Sequence, residues 1–177
     1  NATRSSTKII AKIEMVEALD NLEEIIQLSD AIMVARGDLA IEVGQSQLPG
    51  IQKRIIRLCN MMNKPVITAT QMLDSMVENP RPTRAEITDV ANAVIDGSDA
   101  LMLSAESASG KYPFKCIRTM HEIICEVQKS SDLYWDISLE DHILDVPDAI
   151  AAAAALTALK VKAKALVCLT TSGKTAT

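Results

Sequence analysis

Four short apolar runs recur along the chain, at residues 9–14, 31–35, 66–70 and 101–104, each rich in Ile, Val, Leu or Met. Runs of this length, apolar at nearly every position, predict strands buried on both faces. Between them the apolar positions recur at helical spacing. Leu19, Leu22, Ile25 and Ile26 make one stripe, and Ile51, Ile55, Leu58, Cys59 and Met62 the next. Ile87, Val90, Val94 and Ile95 make a third, and Cys116, Ile117, Met120, Ile123, Ile124 and Val127 a fourth. The third helix carries its own boundaries. Thr83-Arg84-Ala85-Glu86 reads as a capping box behind Pro80-Arg81-Pro82, and Gly97 reads as its C-terminal stop. Strand alternating with helix means parallel strands joined by crossovers. Four such units make a small open sheet or half of a closed eight-unit barrel, and a whole barrel needs roughly 250 residues.

Past residue 129 the pattern changes. Residues 131–146 are polar and acidic, hold the single Trp, Trp135, and read as a linker. Pro147 then opens an Ala-rich helix, and residues 165–169 read as a fifth strand running into the loop Thr170-Thr171-Ser172-Gly173-Lys174-Thr175. The expected organisation is a tag remnant at residues 1–2, a barrel segment at 3–130, the linker, and the beginning of a second domain at 147–177.

Composition narrows the function. Apolar residues are 48% of the chain but aromatics only 2%, so the core must be aliphatic. The net charge of −5 is scattered, without the basic patch that nucleic acid would require. No apolar run approaches the roughly 20 residues of a membrane span. Cys59, Cys116, Cys125 and Cys168 match neither zinc nor redox spacing and read as buried, reduced residues of a cytoplasmic protein.

In parallel sheets the chemistry sits at the carboxyl ends of strands. The first strand ends with Lys12 and Glu14, two positions apart and hence on one side. They form either an ion pair or working groups. The second ends Ala35-Arg36-Gly37-Asp38, where Gly37 permits a tight turn. There Asp38 either caps a short helix or shares a metal with Glu14, and the backbone amides offer an anion cradle. The third places Thr68 and Thr70 on one side, as backbone-bonding or substrate-binding hydroxyls, and the fourth ends near Glu106. His121 lies in a helical pattern and His142 in the linker; neither completes a hydrolytic triad. Gly173-Lys174-Thr175 fails the P-loop spacing, because Cys168 stands where the first Gly belongs.

Taken together, Lys8-Ile-Ile-Ala-Lys-Ile-Glu14, Ile32-Met-Val-Ala-Arg-Gly-Asp-Leu39, Pro65-Val-Ile-Thr-Ala-Thr-Gln-Met72, Pro80-Arg-Pro-Thr-Arg-Ala-Glu86 and Asp89-Val-Ala-Asn-Ala-Val-Ile-Asp-Gly97 resemble pyruvate kinases in order and spacing. The resemblance covers essentially the whole chain. It implies the second half of a (β/α)8 TIM barrel followed by part of an α/β regulatory domain. It further implies a cytoplasmic glycolytic phosphotransferase that converts phosphoenolpyruvate and ADP into pyruvate and ATP with Mg²⁺ and K⁺. Carried over by residue, Lys12 and Thr70 are catalytic; Arg36, Gly37, Asp38 and Thr70 bind substrate; Glu14 and Asp38 hold Mg²⁺. Thr170, Thr171, Ser172, Gly173, Lys174 and Thr175 would cradle the phosphate of a sugar-phosphate or nucleotide effector.

Two departures are mild. Met15 and Ala18 stand where the family usually has Asn and Gly, and Leu103-Ser-Ala-Glu-Ser107 replaces Leu-Ser-Gly-Glu-Thr. The larger departure is that the family's first four strands, lid domain, phosphoryl-binding arginine and K⁺ ligands have no counterpart in these residues. A fragment of this kind is expected to be inactive alone. It is also expected to form a dimer or larger assembly through open strand edges, where the intact family forms tetramers. Two further readings are a phosphate-binding or self-associating module without chemistry, and a lyase of the phosphoenolpyruvate/pyruvate group.

Overall fold

Four parallel strands run side by side in sequence order: β1 (Ile10–Ile13), β2 (Ala31–Ala35), β3 (Val66–Ala69) and β4 (Ala100–Met102). They are seen in a computed structural model that describes residues 7–129 and 146–169. β2 falls where the sequence places it. β1 and β3 are shorter than expected by two residues and one, and β4 starts one residue earlier and ends two earlier, because a strand lasts only as long as its neighbour pairs with it.

Register explains the burial. Ile13, Val34, Thr68 and Leu101 lie in one row across the sheet. The first three of them are almost fully buried under helices. The neighbouring row, Lys12, Met33, Ile67 and Ala100, faces the other side and is only partly covered. The crossovers pack the sheet closely on one face and leave the other only partly covered, so the expectation of strands buried on both faces holds for one face alone.

Those crossovers are α1 (Val16–Asp20) and α2 (Leu22–Leu28), then α3 (Arg36–Val43) and α4 (Leu48–Met61), then a 3₁₀ turn at Asp74–Val77 and α5 (Arg84–Ile95). After β4 come α6 (Ala105–Ala108) and α7 (Pro113–Lys129). Two clusters fill the layer beneath the helices. Ile13, Leu22, Ile26, Ile32, Ile55 and Ile56 belong to the first. Met72, Met76, Val90, Ala93, Cys116 and Met120 belong to the second. On α5 the buried pair is Val90 and Ala93, while the expected Ile87 is 40% exposed; on α7 Ile117 likewise points outward.

The caps of α5 match the sequence. The Thr83 side chain accepts from the Glu86 N–H, and the Glu86 carboxylate accepts from the Thr83 N–H at 2.6 Å. Glu86 also accepts from the Ser75 N–H (2.7 Å) and hydroxyl (2.6 Å), tying the 3₁₀ turn to the helix start. Burial pushes its pKa up, but these hydrogen bonds outweigh it and the net shift is downward. Gly97 follows α5 at φ +94, and a Cβ placed there would lie 2.4 Å from the Asn60 amide nitrogen. Gly97→Ala combines a left-handed alanine with that clash, so it should lower the urea midpoint by an amount equivalent to about 1–3 kcal/mol. An unchanged midpoint would show that Asn60 moves away freely.

Three expectations are corrected. Asp38 does not cap the helix after β2: α3 begins at Arg36, with Ala35 at the cap, and Asp38 lies within its first turn. Residues 165–169 form no strand, and Val167 and Leu169 are fully or almost fully exposed. A strand exists by pairing, and among the described residues this segment has no strand beside it. Of the cysteines only Cys59 and Cys116 are buried, and burial pushes their thiols up to about 12 and about 11. Cys125 and Cys168 are half-buried, and all four are free.

The chain divides into two compact units, Asn1–Tyr134 and Trp135–Thr177. The described part of the second is α8 (Val146–Lys160) and the residues after it up to 169, which form no helix or strand. The suspected tag remnant, the linker up to residue 145 with His142, and the loop Thr170–Thr175 all lie outside the described residues. No helix among the described residues is long and apolar enough to cross a membrane.

Candidate active site

The carboxyl end of β1 delivers Lys12, and the residue just past the strand on the same side is Glu14. The Lys12 ammonium forms ion pairs with Glu14 and with Asp38 Oδ2, the latter at 3.3 Å. Hydrogen bonding to Glu14, and then to Asp38, raises the Lys12 pKa above the usual lysine value. Lys12 is therefore a cation throughout the physiological range and not a base. The group is reachable by solvent, with 49% of the Lys12 side chain exposed. It lines a cavity of about 410 Å³ together with Glu14, Met15, Asp38, Ile41 and Glu42.

Asp38 is brought there by the sharp passage from β2 into α3. The first turn of a helix leaves its N–H groups without intrahelical partners. One of these, the Gly37 N–H, donates to Thr70 Oγ1 at 2.8 Å. A Cβ built on Gly37 would sit 3.5 Å from that oxygen, in ordinary contact, so the approach does not itself require a glycine.

Thr70 lies beyond the last residue of β3 and has φ +69; Gln71 follows at φ +52. Two successive non-glycine residues in the left-handed region cost on the order of 1–3 kcal/mol each. This turn breaks the strand alternation, and so the two threonines separate. The buried Thr68 hydroxyl pairs with the Ser98 hydroxyl at 2.8 Å, under the helices. The Thr70 hydroxyl donates to the Ala69 carbonyl at 2.7 Å and accepts from Gly37.

Arg36 holds this turn. Its side chain is only 6% exposed, and its Nε and Nη2 both donate to the Thr70 carbonyl, at 3.1 and 2.7 Å. Nη2 also donates to the Gln71 carbonyl at 2.9 Å, and Nη1 reaches both oxygens of Asp89 on α5, at 2.9 and 2.7 Å. The sequence reading considered only the backbone of Arg36 and gave Asp89 no role. The available signal was the recurrence of Glu86, Asp89 and Asp96 at helical spacing beside the apolar Val90 and Ala93. Glu106, expected at the rim beside the end of β4, lies instead in the first turn of α6 and is only 1% exposed, accepting from the backbone N–H groups of Leu73 (3.2 Å) and Ser104 (2.7 Å).

The structure therefore brings Lys12, Glu14 and Asp38 to one cation-and-carboxylate cluster, and Thr70 onto Gly37 at the start of the same helix. A family profile described as pyruvate kinase, barrel domain, matches residues 1–117. The chain belongs to the pyruvate kinase family. It is 49% identical over 179 residues to a pyruvate kinase of Lactobacillus delbrueckii subsp. bulgaricus, covering 99% of this chain and 30% of the relative. A Geobacillus stearothermophilus pyruvate kinase is 50% identical over 171 residues, covering 95% and 29%. A crystal structure of a pyruvate kinase from Cryptosporidium parvum superposes with a TM-score of 0.84 at 43% identity, covering 97% of this chain and 36% of that one. The chain thus spans about three-tenths of the length of these curated pyruvate kinases, and its parallel (β/α) sheet matches the pyruvate kinase barrel fold.

Proposed function

We propose that this chain supplies the strand-end catalytic groups of a phosphotransferase that moves the phosphoryl group of phosphoenolpyruvate to ADP, giving pyruvate and ATP. The observation that carries the reading is the Lys12 cation, held between Glu14 and Asp38 at the open carboxyl ends of the strands. Phosphoryl transfer asks for positioning and charge neutralisation rather than covalent chemistry. A fixed ammonium suits that need. Its raised pKa keeps it charged while negative charge gathers on the transferring phosphoryl and on the enolate oxygen left behind.

The substrate carboxylate is assigned to the first turn of α3, formed by Arg36, Gly37 and Asp38, and to Thr70. Because the Gly37 N–H is engaged by Thr70, the hydroxyl can serve as its relay. Oγ1 keeps accepting from Gly37 while its hydrogen turns from the Ala69 carbonyl to a substrate oxygen. Glu14 and Asp38 are a hard oxygen pair already converging on one cation, and they suit Mg²⁺, which binds through few carboxylates and keeps several waters. That ion, when bound, supplies charge neutralisation at the phosphate and enolate oxygens. K⁺, held elsewhere in the intact protein, belongs to the same proposal. So do a homotetrameric assembly in the cytoplasm and a sugar-phosphate or nucleotide effector at Thr170, Thr171, Ser172, Gly173, Lys174 and Thr175.

The test is pyruvate formation from phosphoenolpyruvate by the intact protein, dependent on ADP. Its absence would favour a phosphate-binding module without chemistry. In the same assay Glu14→Gln and Asp38→Asn should each raise the Mg²⁺ concentration for half-maximal rate by at least ~10-fold, the loss seen even for outer-shell partners. A superimposable metal titration for either variant would remove that residue from the ligand set.

A further inference from the structure

The left-handed turn at Thr70 and Gln71 does not hold itself. Neither residue is a glycine, and both have positive φ. What fixes their carbonyls is a single guanidinium, that of Arg36, which donates to both. The guanidinium is in turn buried, and a buried cation needs a counter-charge. Asp89 provides it with both carboxylate oxygens at hydrogen-bond distance. The other groups around the guanidinium are neutral: the Gln52 amide oxygen 3.5 Å from Nη1 and the Met72 sulfur 2.9 Å from Nη2. Asp96, which borders the same hollow, is paired with Lys53.

A continuous path therefore runs from α5 to the substrate end of the sheet: Asp89 to Arg36, Arg36 to the Thr70 carbonyl, and the Thr70 hydroxyl to the Gly37 N–H. Its two ends meet in one helix, because Arg36 and Gly37 are adjacent in the first turn of α3. Arg36 thus bolts the β3 turn to the helix whose amides face the proposed carboxylate. Asp89 is 38% exposed in its side chain and lies outside the apolar clusters, so its replacement opens no core cavity.

We propose that Asp89 is a positioning residue, which sets the affinity for the substrate carboxylate by holding Arg36 and, through it, the Thr70 hydroxyl. This rests on the phosphoenolpyruvate reading above. Without its counter-charge the guanidinium turns toward water, the strained turn relaxes, and the hydroxyl leaves the helix start. Displacements of about 1 Å in such groups cost up to ~10²-fold in rate or affinity.

The experiment uses the intact protein with Asp89→Ala, Asp89→Asn and the charge-keeping Asp89→Glu. The KM for phosphoenolpyruvate should rise roughly tenfold or more in the first two, while the KM for ADP stays within about twofold. Asp89→Glu should recover most of the loss. Hydrogen exchange in the peptide covering residues 35–39 should quicken in Asp89→Ala, with the peptide covering β2 unchanged. A phosphoenolpyruvate KM that does not move, or one that moves equally with that for ADP, overturns the proposal. If the wild-type protein forms no pyruvate, the substrate reading fails on its own. Exchange then decides the anchor: unaltered exchange at residues 35–39 in Asp89→Ala refutes it, and quickened exchange upholds it.

Discussion

Replacing Lys12 by Met in the intact protein should lower kcat by about 10²–10³, the usual cost of losing one preorganised electrostatic contact to a developing charge. The substitution is close to isosteric, and half of the side chain is exposed, so the fold should survive and the loss should appear at the transition state. Its neighbours sharpen the expectation. Without the ammonium, Glu14 and Asp38 face each other across the same space with no cation between them. The variant should therefore respond more steeply than wild type to added Mg²⁺. Steady-state kinetics at saturating phosphoenolpyruvate and ADP decide the matter. A kcat within about twofold of wild type would strip Lys12 of its role.

The second large effect is on stability and belongs to Glu106. A carboxylate with 1% exposure is rarely tolerated unless its oxygens are used, and here both are. One oxygen accepts the Leu73 N–H after β3 and the other the Ser104 N–H after β4, so a single side chain joins two adjacent strand ends. Glu106→Ala leaves both donors without an acceptor and a void behind. At about 1–3 kcal/mol for each of the two orphaned groups, the loss is on the order of 2–6 kcal/mol. Urea unfolding of the chain, followed by circular dichroism, should show the midpoint collapse. A change equivalent to less than about 1 kcal/mol would mean that water or a rearranged loop satisfies both amides. Glu106→Gln keeps one carbonyl acceptor and should fall between the two.

The elements were legible in the sequence wherever local chemistry decides them. The capping box at Thr83 and Glu86, the stop at Gly97 and the four apolar runs need only the chain's own neighbours to be read. Lys12 and Glu14 were likewise placed together by strand alternation alone. Alternation misled one turn later. It joined Thr68 to Thr70, whereas two left-handed residues beyond β3 turn Thr70 to Gly37 and leave Thr68 under the helices. That turn is imposed by a guanidinium 34 residues away in sequence, and no local preference of Thr or Gln foretells it. Asp89 escaped for the same reason, since its partner is 53 residues distant. The strand expected at residues 165–169 shows the converse: apolar composition suits a strand, but composition supplies no partner.

The uneven state of the four thiols has a practical outcome. Burial holds Cys59 and Cys116 as protonated, inaccessible groups, which thiol-directed reagents at neutral pH leave alone. Cys125 and Cys168 are partly accessible, and they fall one in each compact unit of the chain. A maleimide donor and acceptor dye would therefore mark the two units without any change to the sequence. This chain already carries the handles for a distance measurement by energy transfer between its two units.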